Sequence, residues 1–377
     1  YSPNGGLPFP PQAIDDVKIP LAVSWEVDIW GRVKRSVEAA EHEAEATLAS
    51  FESLQLMLHA QVASSFFTLR AQDLELDTLQ RTVELRTKAL GLLRARLNAG
   101  DANELDVVRA ESELANAQAE SAAVARRRSE VQSSLAVLVG QPASSFEIAR
   151  AGPSAAADPS QATAGVPSLG EPPAVPAGLP SDLLERRPDI AVAERQLAAR
   201  NARIGVAKGA FFPTLRLTGY GGFESKDVDN LFHLDSFVWG LAPSLSVPIF
   251  AGGRNEANLR LSRAAYEAGV AEYRQSVLRA FKEVQDALTA TRLLAEQAAA
   301  IDRSLQSARR ASTLARTRFD AGFVGYIDVI EADRTALIVE RAAALIAGLR
   351  LVNAVELVKA LGGGWSSAEL PALAASQ

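Results

Sequence analysis

Residues 33 to 97 contain no proline and one glycine, Gly91, and their apolar side chains recur at helical spacing. Val33, Val37, Ala40, Ala44, Leu48, Phe51, Leu54, Leu58, Val62, Phe66 and Leu69 advance 36 residues in ten steps, a period of 3.6. At about 1.5 Å per residue such a helix would run on the order of 100 Å, more than a compact domain is wide. Further along, Leu76, Leu79, Val83, Leu90, Leu93 and Leu97 follow a heptad with Arg86 in the skipped place. That pattern favours left-handed supercoiling against a neighbour. The expectation is an elongated helical assembly.

The same plan occurs twice. Gly31-Arg32 recurs as Gly253-Arg254, an offset of 222. With that offset, Arg96-Leu97-Asn98-Ala99-Gly100 lies over Arg318-Phe319-Asp320-Ala321-Gly322, and Leu105-Asp106-Val107-Val108 lies over Ile327-Asp328-Val329-Ile330. Gly140 lies over Gly362. So long a period is a duplicated half of a fold, not a solenoid unit. Helices are predicted over 33–97 and 103–139, joined by a turn in which Gly100 supplies a left-handed cap. Their counterparts run over 254–319 and from the turn at Gly322 and Gly325 to 361. Residues 142–180 hold eight of the 18 prolines and read as a linker or surface wrap. The expected division is a first repeat over 1–140, a linker over 141–180, a second repeat over 181–362 and a tail over 363–377. Residues 181–223 lack a first-repeat counterpart, which would fall before Tyr1.

Three shorter stretches alternate with period two. Leu21, Val23, Trp25, Val27 and Ile29 interleave with Ala22, Ser24, Glu26, Asp28 and Trp30. Over 214–222, Leu215 and Leu217 oppose Thr214, Arg216 and Thr218; later, Phe237, Trp239, Leu241, Leu245, Val247 and Ile249 oppose Gly240, Ala242, Ser244 and Ser246. A half-buried sheet in a soluble protein has this pattern. So does a strand of about ten residues that crosses a bilayer with its polar side toward water. Trp30, Tyr220, Phe237, Trp239 and Phe250, near strand ends, suit an interfacial girdle. Three strands leave open edges, so the membrane reading requires other chains to close the sheet.

Composition narrows the function classes. Lys plus Arg total 39 against 45 Asp plus Glu, a net charge of −6, which offers no broad basic surface to nucleic acid. Cysteine is absent and the three histidines, His42, His59 and His233, are scattered, so disulfides, thiol nucleophiles and a metal site are not expected. No serine has a His/Asp partnership, and Gly252-Gly253-Arg254 and Gly362-Gly363-Gly364 lack a phosphate loop's lysine and hydroxyl. Neither an enzyme nor a cofactor is expected. No apolar run is long enough for a transmembrane helix, and Tyr1 to Pro11 does not read as a signal peptide.

Leu183-Leu184-Glu185-Arg186-Arg187-Pro188-Asp189-Ile190, continuing through Ala193-Glu194, Ala199, Ile204-Gly205 and Ala207-Lys208 to Phe211-Phe212-Pro213-Thr214-Leu215, resembles the signature helix and membrane strand of the outer membrane factor family. These are the TolC-like channels of tripartite efflux and type I secretion systems. Trp25-Glu26-Val27-Asp28-Ile29-Trp30-Gly31-Arg32 is similar to the strand-to-helix junction of the drug and metal efflux branch. The resemblance implies a mainly α fold with a small β part. Duplicated helical hairpins would form a periplasmic α-barrel, and membrane strands would close into a barrel only in a homotrimer. It implies a passive exit duct in the outer membrane, in contact with lipid, a periplasmic adaptor and an inner-membrane efflux pump. A four-strand pattern further implies about 80 to 120 more N-terminal residues, including a helix and a strand, from the repeat length. A lipidated N-terminus stays open. A type I secretion duct and a soluble periplasmic coiled-coil adaptor are the alternatives.

The resemblance also assigns candidate sites. Asp328 and Glu331 lie three apart on one helix face after the second hairpin turn, and Asp106 keeps the acidic place in the first. In a three-fold assembly they would ring the channel entrance and favour cations; the same spacing suits an ordinary solvated face. Arg109 stands where the second copy has Glu331. It either bridges to an acid on a neighbouring helix as a gate or forms a local surface pair. Relatives often carry a gating arginine at a position that holds Val324 here. Gly100, Leu105, Gly322, Val324 and Ile327 are the candidate adaptor contacts at the hairpin tips, with plain turn chemistry as the alternative.

Overall fold

The structure, a computed structural model, describes residues 16–101, 103–150, 169–173 and 183–366. Most of the linker expected over 141–180 and of the tail over 363–377 lies outside the described residues. The elements are β1 (Val17–Val27), α1 (Arg32–Asn98), α2 (Glu104–Leu138), the single turn α3 (Leu183–Arg186), α4 (Pro188–Gly209), β2 (Thr214–Ser225), β3 (Phe237–Ser246), α5 (Arg254–Asp320) and α6 (Tyr326–Ala360). Helices α1 and α5 each have 67 residues, and α2 and α6 each have 35. Both pairs begin and end at the offset of 222 read from the sequence. Glycine ends all four long helices: Gly100, Gly140, Gly322 and Gly362 have φ of 78°, 70°, 75° and 93°. The next N–H then reaches back across the last turn, as in Asp101 to Arg96 O and Phe323 to Arg318 O, both 2.9 Å.

One compact unit gathers residues 16–47 and 193–274 among those described. Its sheet is antiparallel in the order β1-β2-β3, so β1 and β3 are the edges. The register places Leu21 opposite Gly221, Trp25 opposite Leu217, Trp239 opposite Gly221 and Pro243 opposite Leu217. The strand limits differ from the expectation at both ends. β1 starts earlier because an edge strand tolerates Pro20. It stops at Val27 because Asp28 turns back to cap α1, its two oxygens accepting from the Val33 and Lys34 N–H groups at 2.9 and 2.8 Å. The Lys34 N–H above all holds the Asp28 carboxyl below its ordinary range. Trp30 therefore leaves the strand, stacks on Phe212 at 4.8 Å and donates its indole N–H to Pro213 O. Helix α4 is held to α1 and α5 by Arg195–Glu45 and Arg200–Glu272. A Cβ at Gly205 would meet Arg35 Cγ at 2.8 Å, so a larger residue there displaces that side chain.

The second unit takes in the described residues of 48–192 and 275–366. Leu76, Leu79, Val124 and Leu337 form one core, and Ala49, Ala191 and Trp365 another. In its first half the face that α1 buries is alanine, and leucine takes over from Leu69 onward. Ala39, Ala46, Ala49 and Ala60 are buried, whereas Val37, Phe51, Leu54 and Leu58, on the stripe that marks the helix in the sequence, stay exposed. Arg187, 6% exposed, gathers three elements: it donates to Asp189 at the start of α4, to Glu283 on α5 and to Ala360 O at the end of α6. Asp73, 1% exposed, receives Arg70 and Arg128. These arginines also donate to Ala149 O and Ile148 O, which docks the first residues after α2 on the helices.

Arg187→Met leaves Glu283 and the Ala360 carbonyl without their donor. It is expected to cost about 2 kcal/mol, because both carboxylates keep some solvent; a drop of several degrees in thermal unfolding checks it. Near Asp73, burial pushes the Asp77 carboxyl up, partly offset by Arg150 and Arg81, and its Oδ2 has no hydrogen bond. A raised folded-state value means that ionised Asp77 costs stability. Asp77→Asn should therefore raise the melting temperature at neutral pH, and the gain should vanish as acidification protonates Asp77 in both states.

Candidate functional site

The two hairpin turns close over one apolar cluster. Leu90 and Leu93 of α1 and Val107 and Ala110 of α2 pack with Tyr326, Val329 and Ile330 of α6, and Leu97 and Phe319 cover them. The rings of Phe319 and Tyr326 stand 5.4 Å apart, and Arg96 lies over Phe319. Burial pushes the Tyr326 phenol above its ordinary value, so it stays neutral. Equivalent ion pairs brace the two hairpins: Arg94–Glu111 at 2.6 Å and Arg316–Asp333 at 2.8 Å, each residue displaced by the repeat offset.

Around this cluster the candidate residues take definite places. Asp328 and Glu331 are both exposed, on one side of the first turns of α6. Asp328 has a structural task besides: its Oδ2 accepts from the Gly325 N–H at 3.1 Å, closing the helix start where glycine has no capping side chain. In the first copy Asn103 caps instead, accepting from the Leu105 N–H at 3.1 Å. Asp106 is thereby left to Arg109, 3.8 Å away on the same helix. Among the described residues Arg109 makes this local pair. Gly100 and Gly322 sit in the exposed turns, Leu105 and Ile327 are exposed at 50% and 39%, and Val324 is half-buried. Phe323, 78% exposed, is the apolar residue at the tips that spacing did not single out, although its place between Gly322 and Gly325 marks it as turn surface.

Behind the tips, α6 is tied to the first hairpin by a charge ladder. Arg334 pairs with Glu113, which also holds Arg86 at 3.0 Å, and seven residues on Arg341 donates to Glu120 and Glu75, both at 2.8 Å. Its sequence signals are Arg86 in an apolar heptad place and the seven-residue spacing on both helices.

In the sheet unit, the register puts Ile19, Leu21, Val23 and Trp25, Leu215, Leu217 and Phe223, and Phe237, Trp239, Leu241 and Leu245 on one face. Leu21 and Trp239 each leave 74% of their surface open. The other face carries Lys18, Ser24, Glu26, Thr214, Arg216, Thr218, Tyr220, Glu224, Ser244 and Ser246. Tyr220 therefore belongs to the polar side, its ring lying against Gly240, and not to a lipid-facing girdle. A sheet whose exposed face is apolar has the inverse pattern of a soluble protein.

Such strands, feeding paired long helical hairpins, define a channel subunit of the bacterial outer membrane. A family model described as outer membrane efflux protein matches residues 11–141 and 179–363, and the chain belongs to that family. The solvent efflux pump outer membrane protein SrpC of Pseudomonas putida is 35% identical over 350 residues, 93% of this chain and 71% of SrpC. The cation efflux system protein CusC of Escherichia coli is 32% identical over 92% of this chain and 72% of its own. Among solved structures, the open-state MtrE outer membrane channel of Neisseria gonorrhoeae matches with a TM-score of 0.81 at 32% identity, over 93% of this chain and 76% of MtrE.

The capping difference is testable. Asn103→Ala should cost about 1 kcal/mol of local helix stability and speed hydrogen exchange at Leu105 and Asp106. At the second tip Asp328→Asn keeps an acceptor and should change exchange little, whereas Asp328→Ala should fray α6.

Proposed function

We propose that the chain is one subunit of a homotrimeric, passive exit duct of a tripartite efflux system, with no catalytic step of its own. The observation that carries this reading is the sheet: one mainly apolar face, one mainly polar face and two open edges. Unpaired edges in lipid cost several kcal/mol per group, so neighbouring subunits must pair them. The exposed stripe on α1 supports the same conclusion, since Val37, Phe51 and Leu54 keep half or more of their surface open among the described residues. Residues 1–140 and 181–362 are then two structural repeats joined by the linker 141–180, with 363–377 as a tail.

In this reading the polar face lines the passage through the membrane. The hairpin tips with Leu105, Val324 and Ile327 and the glycine turns at Gly100 and Gly322 meet a periplasmic adaptor, which couples the duct to an inner-membrane pump. Asp328, Glu331 and Asp106 supply an acidic entrance, while the Arg109–Asp106 pair removes one charge from the first tip. The cargo is small toxic molecules of the kinds named for the relatives, organic solvents or metal cations, or drugs.

Single-channel recording of the full protein in a planar bilayer tests the duct. An ohmic, cation-preferring conductance is expected, and Asp328→Asn with Glu331→Gln should reduce that preference several-fold without loss of the helix cap. A protein that remains freely soluble and never inserts would overturn the reading.

A further inference from the structure

The polar face of the sheet carries four charged residues among those described: Lys18 and Glu26 on β1, Arg216 and Glu224 on β2. Three of them are neutralised by a partner. Lys18 Nζ lies 2.6 Å from Glu224 Oε1 and 2.9 Å from Asp16 Oδ2, just before β1. Glu26 gives both oxygens to Arg32, at 2.7 and 2.8 Å from Nη2, with a third contact from Nε at 3.1 Å. Arg216 stands directly across from Glu26 in the register, but the carboxylate that would pair with it is already occupied by Arg32. On its other side is Ser244, whose hydroxyl donates to the Arg216 backbone oxygen at 3.4 Å. The guanidinium is exposed and makes no ion pair among the described residues.

We infer that Arg216 is a specificity-determining residue, a cationic filter in the strand-lined passage that favours anionic solutes and slows cations. The inference rests on the reading that the polar face lines a water-filled lumen. There, Glu26 with Arg32 contributes a dipole, Lys18 is shared by Glu224 and Asp16 at the far end of the strands, and Arg216 contributes the one cation without an ion pair in each subunit's described sheet. Symmetry sets these arginines at one level. Low-dielectric walls keep the field of such a ring from being screened as it would be on an open surface. Its sign is opposite to that of Asp328 and Glu331, so a solute meets both signs of charge in transit. Solutes bearing a carboxylate, sulfonate or phosphate are favoured at Arg216.

The absence of cysteine makes a clean test possible. Ser244→Cys is nearly isosteric and faces Arg216; Leu245→Cys lies on the apolar face. Trimers in lipid vesicles are treated with an anionic sulfonatoethyl and a cationic trimethylammonioethyl thiosulfonate of similar size, and the two labelling rates are compared. Ser244→Cys is expected to react faster with the anionic reagent. Adding Arg216→Ser should lower the anionic-to-cationic rate ratio about three-fold or more at ~0.1 M salt, and less at ~1 M where screening is strong. Arg216→Lys should preserve the ratio. A ratio unmoved by Arg216→Ser, with Ser244→Cys still labelled and Leu245→Cys protected, overturns the filter and leaves the lumen reading intact. Labelling of Leu245→Cys with protection of Ser244→Cys overturns the face assignment, and the filter with it.

Discussion

Close approach between helices through small side chains is the condition on which the rest of this structure depends. A Cβ at Gly348 of α6 would meet the Ala71 Cβ at 2.4 Å, and one at Gly205 of α4 would strike Arg35. Alanine lines the buried side of α1 throughout its first half. Such contacts bury little area per residue, so dispersion over long, tightly matched surfaces must replace the bulky core of a globular domain. Apolar side chains too large for these seams, Val37, Phe51 and Leu54 among them, stay exposed. The arginine–carboxylate bridges then fix register where alanines alone would slide, as Glu113 does between Arg86 and Arg334.

The duplication lets one half serve as a control for the other. Helix lengths, glycine stops and one brace of ion pairs are the same in both copies, so these are requirements of a hairpin of this length. The differences lie at the turns. Asn103 caps one helix with its side chain, and Gly325 leaves that task to Asp328, three residues inside. An acidic residue at that place thus answers a local need of the backbone before any role toward solutes. Substitutions that remove its acceptor mix two effects, whereas the amide separates them.

Much of the fold could be read from the sequence because its governing signals are local. Helix ends carry the glycines that a left-handed cap demands, and the long period of 3.6 has no competing explanation. Strand ends were less legible: the strand runs back through Pro20, which an edge position permits, and the alternation through Ile29 and Trp30 continued past Asp28, whose capping bonds end the strand. Spacing identified the stripe on α1 but not which side the chain itself would bury. The tips were legible through their glycines and paired acids. Arg187, Glu113 and Arg341 were not, since their partners lie far off in the chain.

The caps at the tips have a consequence for anything that docks there. Each turn is completed by its own backbone and side chains, with Gly100 and Gly322 already in place and Asn103 and Asp328 holding the next helix. Leu105, Phe323 and Ile327 are thus displayed on a surface that has already paid its ordering entropy in folding. A protein docking there would be spared the cost of ordering the tip and would bear only its own loss of freedom. Binding of that kind needs no rearrangement at the tip, and it can be as quickly undone as made.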